Sequence, residues 1–442
     1  MNMNFKIKNQ NLYLIIFILF ALISFVVGFN LDEVASSNYG GFKGDLFFIW
    51  NNQNTFNNHS LKEALNFTTT FSPEFYQSSR IPSSYILNKY LNPFSDDINN
   101  FRRSVFFLSL CIPLFFFYAL KEKFTGINKY LIGAVSSIVL LSPYFRNSGF
   151  WGLEENYAFL TTIISYIFLN KFLKYNLNKN YLNFSYIFYL SFFSSLCVYF
   201  DQKFIIIPLI CFIKILTSDK LSVFKYTIAL FYFLFSLPCL YLFYLWGNFL
   251  PVQDASTREM GLNNLRIANI GYAITIIAFY LTPILFLKKE KNYSISGAKD
   301  LLKFSLNKYL IFLFILYLLY FFNFNDFSPD KLGGGFVNKI SYFLFDDFLH
   351  QKYLTFFAFI FGFLIILFFI NNNINDFLII TFFLIISVYA NPLYQEYFDP
   401  VIFILALTFF DTKLIINFKN VTILYFSFLI FFSASYLYYT YV

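Results

Sequence analysis

Acidic residues set among glycines and aromatics, close to isolated cations, are the side chains that could do chemistry in this sequence. The chemistry they suit is removal of a proton from a hydroxyl beside an anionic group. Asp45 follows Gly40-Gly41-Phe42-Lys43-Gly44 and precedes Phe47-Phe48-Ile49-Trp50. A carboxylate there acts as a general base if it projects into a partly dry cleft, where burial and neighbours tune its pKa. In a solvated loop it does nothing, and both readings stand; Asp32 and Glu33 are alternative acids nearer the N-terminus. The run Ser142 to Tyr157 packs Arg146, Glu154 and Glu155 between apolar segments, where charge is costly unless wet, paired or functional. Arg146 could hold a phosphate bidentately, with Glu154 or Glu155 orienting a sugar hydroxyl; the bland alternative is an Arg–Glu pair. Lys203, in Asp201-Gln202-Lys203, either binds a phosphate as a point charge or snorkels to an interface. Arg258 and Arg266 follow another polar stretch, Trp246 to Asp254, and widen the possible anion site. Glu396 and Tyr397, just before Pro400, read either as substrate contacts or as part of an interfacial aromatic belt.

Other chemistries are excluded. His59 and His350 have no helical His/Glu spacing around them, so neither a zinc site nor a His-based triad is expected. Gly333-Gly334-Gly335 lacks the Lys-Ser/Thr of a phosphate-binding loop, and no nucleotide cofactor is expected. Cys111, Cys197, Cys211 and Cys239 sit singly in apolar runs without metal-binding spacing. No cofactor is assigned, and the spacing is silent on a divalent metal.

The elements that position these residues follow from composition. Of 442 residues, 58% are hydrophobic and 13% charged, against about 25% charged in a soluble domain. Apolar runs near the bilayer-crossing length of about 20 residues recur along the chain. They predict an all-α, polytopic transmembrane bundle of about 13 spans, near 11–29, 104–120, 130–144, 157–173, 182–200, 204–217, 225–246, 267–287, 305–322, 354–370, 377–390, 400–411 and 421–440. The first is read as a retained span, since Asn30-Leu31-Asp32-Glu33 offers no cleavage site. Lys6/Lys8, Lys121/Lys123/Lys129, Lys171/Lys174/Lys179, Lys220/Lys225, Lys288/Lys289/Lys291 and Lys413/Lys419 gather on one side. That side is expected to be cytoplasmic, with the N-terminus. The net charge of +8 is thereby explained by orientation, and nucleic acid is not expected as a partner. Segment 30–103 becomes the first extracytoplasmic loop, where amphipathic stretches and breakers predict interfacial helices. The chain 1–442 is read as one transmembrane domain, and the abundance of Phe, Tyr, Ile, Asn and Lys as an A/T-rich microbial coding bias.

The order of these features resembles the GT-C glycosyltransferases, and within them the dolichyl-phosphoglucose α-1,2-glucosyltransferase family. The resemblance rests on Phe150 to Phe159, Phe200-Asp201-Gln202-Lys203, Trp246 to Asp254, and Glu396-Tyr397-Phe398-Asp399-Pro400. Glu396 stands where that family has Arg, and one acid, Asp45, stands for its acidic pair. The resemblance implies a GT-C-like fold and inverting transfer of a single sugar from a polyprenyl-phosphate-linked donor to a glycan or lipid-linked acceptor. It implies the extracytoplasmic face of a multi-pass plasma membrane, here a bacterial inner membrane, with Asp45 as base and Lys203 with Arg146, Arg258 or Arg266 on the leaving phosphate. Two other functions suit a many-span bundle: a surface-polysaccharide polymerase or ligase, and a lipid or solute transporter. The first is expected to carry its largest outward loop late, the second to show inverted repeats and broken helices.

Overall fold

A helix satisfies its own backbone groups, which lipid cannot do, and the computed structural model of this chain is 82% helical. It describes residues 2–34, 41–69, 81–174, 180–218, 222–247, 265–288, 308–324, 333–370, 373–390 and 393–441, and no strand occurs among them. Six helices are long and apolar enough to cross a membrane. They are α1 (Asn2–Asn30, apolar from Asn9), α5 (Ile98–Lys123), α9 (Asn180–Phe200), α11 (Ser222–Trp246), α15 (Phe348–Ile370) and α18 (Phe418–Tyr441). Shorter apolar helices lie at Lys129–Leu141, Asn269–Leu285 and Ile374–Ser387. The run expected to cross at 400–411 contains a buried helix of only seven residues, α17 (Val401–Leu407). At about 1.5 Å per residue that is about 10 Å, a third of a hydrocarbon core.

Contacts gather the chain into two compact units, Met1–Asp254 with Tyr425–Val442, and Ala255–Leu424. In the first unit, α1 shows the lipid-facing pattern plainly. Leu14, Ala21, Phe25 and Gly28 form a buried stripe, while Leu12, Ile16, Leu19, Phe20, Ile23 and Val27 are exposed. An exposed apolar face of that size would aggregate in water and is ordinary in a bilayer. Residues 30–103 carry the expected short helices: α2 (Asp45–Asn58), α3 (Leu61–Phe67) and α4 (Ser83–Leu91). After α6 (Lys129–Ser137) and a 3-10 turn (Ile138–Leu141) comes α7 (Pro143–Trp151), then α8 (Glu155–Lys174), and a 3-10 turn (Gln202–Ile205) leads into α10 (Ile206–Leu216).

The second unit holds α12 (Asn269–Leu285), α13 (Lys308–Phe324), α14 (Gly335–Leu344), α15, α16 (Ile374–Ser387) and α17. Small residues bring backbones together here, as lipid-embedded helices require. A Cβ on Gly362 of α15 would lie 3.2 Å from both the Ala278 Cβ and the Ile274 carbonyl of α12. Asn269 donates to the carbonyls of Ser387 and Ala390 at 2.9 and 2.6 Å, satisfying the end of α16.

Candidate functional site

Helix α7 organises the polar interior of the first unit. The Ser142 hydroxyl accepts from the Phe145 amide at 3.1 Å, Pro143 takes the first turn, and Gly152 ends the helix at φ 78°; these are ordinary start and stop devices. Of its nine residues only Tyr144 is not buried. A helix buried all round that carries Arg146, Asn147 and Ser148 must find partners for them inside. Successive residues point about 100° apart, so the three reach acids on three different elements.

Arg146 reaches Glu33. Helix α1 ends with Asp32 in the left-handed region at φ 53°, the Glu33 amide donating back to the Gly28 carbonyl at 3.0 Å. That turn lays the Glu33 carboxylate against the last turn of α1. Arg146, 1% exposed, donates Nε to Oε1 at 2.7 Å and Nη2 to Oε2 at 2.5 Å. Its other donors go to the Ser24 hydroxyl, the Leu140 carbonyl and the Ser24 carbonyl at 3.2, 3.1 and 2.9 Å. All five guanidinium N–H groups are thus engaged, and the ring of Phe432 covers the guanidinium at 4.4 Å. The pairing is with Glu33, not with the neighbouring Glu154 or Glu155, and holding a phosphate would require this pair to open. Gly28 is what admits it, since a Cβ there would collide with both the guanidinium and the carboxylate.

A second buried arginine escaped the sequence reading because it stands beside Arg103 at the start of a span and looks like a basic flank. Arg102 donates to the Phe150 carbonyl at 2.6 Å, to the Phe29 carbonyl at 3.2 Å and to Asp32 at 2.8 Å. It lies 4.4, 4.9 and 4.3 Å from the rings of Phe29, Phe42 and Trp151. Asp32 and Glu33, the alternative bases, are therefore both committed to arginines.

Asp45 opens α2 as its first residue, at the positive end of the helix. It is half-buried, and its Oδ2 accepts from Asn147 Nδ2 at 3.0 Å. Asn147 is 6% exposed, and its Oδ1 is buried without a hydrogen-bond partner. The next residue, Ser148, donates to Glu155 Oε2 at 3.3 Å. Glu155 in turn faces Lys203 Nζ at 3.8 Å, and Lys203 pairs with Asp201 at 2.8 Å. Asp201 also accepts from the Lys203 amide at 3.0 Å, which ties the 3-10 turn to its own ion pair. Glu154 is 5% exposed, its carbonyl accepting from the first turn of α8. Of the sequence-predicted residues, Asp45 meets α7 through Asn147, and Glu155 meets it through Ser148 and faces Lys203 in turn; Glu154 is buried next to Glu155, just before α8. Asn147 was missed; nothing in the sequence separates it from other loop asparagines.

Compared with protein-family models, with curated proteins and with solved structures, the chain matches none.

In the second unit Arg266 is exposed, its backbone amide donating to the Val388 carbonyl at 3.0 Å. Glu396 and Tyr397 are half-buried in the 3-10 turn Gln395–Tyr397. Gln395 fixes that turn, donating to the Tyr280 hydroxyl at 2.9 Å and accepting from the Phe336 amide at 2.5 Å. Lys339 on α14 is the charge that acts on Glu396; burial pushes its ammonium down to about 8, and Glu396 opposes that shift. Arg258 lies outside the described residues. Among the described residues no cluster of His, Cys, Asp and Glu has the arrangement to hold a metal ion.

Proposed function

We propose that this chain is an integral membrane, inverting glycosyltransferase of the GT-C type, moving one sugar from a polyprenyl-phosphate donor to a glycan or lipid-linked acceptor. The observation that carries the reading is the Asp45–Asn147 pair, set beside the Ser148–Glu155–Lys203–Asp201 string in a unit otherwise built of apolar helices. Alternating carboxylate, amide, hydroxyl and ammonium groups suit the hydroxyls of a sugar, each of which both donates and accepts. In the proposed step Asp45 takes the proton of the acceptor hydroxyl as its oxygen bonds to the anomeric carbon. The bond from that carbon to the phosphate oxygen breaks, and the electron pair leaves with the polyprenyl phosphate. Glu154, Glu155 and Lys203 hold the sugar, with Lys203 the cation nearest the leaving group. Arg146 acts through the Glu33 pair, fixing α7 and hence Asn147.

The proposed orientation places the basic loops and the N-terminus in the cytoplasm and these polar groups outside, with about 13 crossings once the shorter helices are counted. The proposed location is a bacterial plasma membrane. Sugar transfer by purified Asp45→Asn protein that retains the native melting temperature tests the reading. A loss of about 10²–10⁴-fold is expected of a missing general base, and undiminished turnover sinks it. A single added sugar, not a ladder of repeats, is the expected product; donor-independent flux in liposomes would point to a transporter.

A further inference from the structure

Two arginines are buried in the first unit, and they differ in how many donors they have left. Arg146 directs all of its donors to Glu33, Ser24 and Leu140. Arg102 is 6% exposed; its Nε donates to the Phe150 carbonyl, and its Nη2 serves the Phe29 carbonyl and Asp32. Its Nη1 donates to no group among the described residues, and it is not closed off from solvent as Asn147 Oδ1 is. The rings of Phe29, Phe42 and Trp151 lie 4.4, 4.9 and 4.3 Å from its guanidinium carbon. They keep water off the group around that open edge, and a planar fork held in this way matches the oxygens of a phosphate. Asp32 does not occupy the edge, since it pairs with Nη2, and at 50% exposure its attraction is weakened by water.

This edge lies beside the proposed base. Asn147, which donates to Asp45, and Trp151, whose ring faces Arg102, are four residues apart on α7, so they share a face with about 6 Å between them along the axis. Phe42, in the turn that leads into Asp45, lies against both the Arg102 guanidinium and, at 5.4 Å, the Trp151 ring. The Asp45 carboxylate and the Arg102 edge are thereby on the order of 10 Å apart, the reach of one sugar ring with a hydrogen bond at each end. We propose that Arg102 seats a phosphate carried on the anomeric carbon of the acceptor sugar, while a hydroxyl across that ring meets Asp45. The inference rests on the glycosyltransferase reading and narrows it: an acceptor joined to its lipid through phosphate fits the two groups, and a free glycan does not. Lys203 approaches α7 by a different route, through Glu155 and Ser148, so the donor's phosphate and the acceptor's meet separate cations.

Trp151 reports on the site, because its ring is 4.3 Å from the guanidinium carbon. Full-length protein carrying Trp50→Phe and Trp246→Phe keeps Trp151 as its only tryptophan, and its emission is titrated with a panel of hexose 1-phosphates, the matching methyl glycosides, inorganic phosphate and farnesyl phosphate. At least one hexose 1-phosphate is expected to shift the emission at several-fold lower concentration than inorganic phosphate or farnesyl phosphate, and its methyl glycoside to leave it unchanged. Arg102→Gln is expected to weaken that binding about tenfold or more, whereas Arg103→Gln, at the exposed neighbour, is expected to leave it intact. Asp32→Asn removes a competing carboxylate and is expected to tighten it, which keeps the proposal testable where Arg102→Gln fails to fold. Inorganic or farnesyl phosphate binding as well as every hexose 1-phosphate overturns the proposal, by assigning a bare-anion or lipid-phosphate site. Equal shifts with the methyl glycosides, no shift with any phosphate, Arg102→Gln binding like wild type or Asp32→Asn binding no tighter also overturn it. These titrations involve no turnover, so they can fail while Asp45→Asn still abolishes transfer, and hold while it does not.

Discussion

Replacing Glu33 by Gln leaves a guanidinium charge buried with nothing to neutralise it. Arg146 is 1% exposed and Glu33 9%, and their bidentate contact is the only one of the Arg146 interactions that carries a counter-charge; the rest go to the Ser24 hydroxyl and to carbonyls. Breaking a buried pair from one side costs about 3–5 kcal/mol. For a unit of this size about 2–4 °C of melting temperature is lost per kcal/mol, so Glu33→Gln should melt about 6–20 °C below wild type. The double variant Glu33→Gln/Arg146→Met removes the stranded charge and should regain most of that loss, because well-packed apolar replacements of buried pairs are often neutral. Gly28→Ala, by driving a methyl into the same contact, should resemble the single variant. Fluorescence melts of detergent-purified protein give all three values and the coupling energy. A Glu33→Gln protein within about 1 kcal/mol of wild type would show that the pair is wetted, and with it the argument that Arg146 has no donor to spare for a phosphate would fall.

Asn147→Asp sets a second carboxylate within hydrogen-bond distance of Asp45; like charges raise a carboxylate pKa, so the acid limb of the pH–rate profile should move to higher pH, and an unmoved limb would remove Asp45 from the proton transfer. Ser60 and Glu63 form a capping box at α3, with hydrogen bonds from the Ser60 hydroxyl and amide holding the Glu63 carboxyl below its usual range. Because the folded pKa is lowered, that stabilisation is present above the unfolded value and lost as pH falls through the folded one; proteolysis near Ser60→Ala should rise at neutral pH, with the difference from wild type fading in acid. Trp246→Phe removes the 3.2 Å bond from the indole to Thr68 and should cost about 1 kcal/mol, read as a small fall in melting temperature.

The apolar frame of this protein was legible from residue types alone. The six long helices coincide with runs at 11–29, 104–120, 182–200, 225–246, 354–370 and 421–440, because bilayer thickness and backbone satisfaction leave few alternatives. The run at 400–411 is helical for only part of its length. Phe409 and Phe410 continue the apolar signal, but the helix ends at Leu407 and the chain turns, with Asp376 accepting from the amides of Asp411 and Thr412 at 2.7 and 2.9 Å. Within the site, Asp45, Glu155 and Lys203 stood out because charge next to apolar runs is conspicuous. The short helix that gathers them did not, although Ser142-Pro143 and Gly152 mark both its ends. Pairing was less legible still: Glu33 and Arg146 are separated by 113 residues, and no local pattern reports such a contact.

The arginines and the lysine divide the acidic residues of the first unit into two sets with different work. Asp32 and Glu33 neutralise Arg102 and Arg146 and brace α7 against α1 and α5, with Trp151 Nε1 donating to the Glu33 carbonyl at 3.2 Å. Glu155 and Asp201 share Lys203, at 3.8 and 2.8 Å, so that string sets two carboxylates around one ammonium. An ammonium already shared by two carboxylates attracts a free phosphate weakly, whereas the carboxylates still accept from hydroxyl protons. Within the proposed reaction that string is better suited to holding hydroxyls than to binding a free phosphate. In the proposed reaction Lys203 then meets the phosphate only as part of a donor already seated by its sugar, and adding inorganic phosphate should compete poorly with the acceptor in steady-state kinetics, whatever it does against the donor.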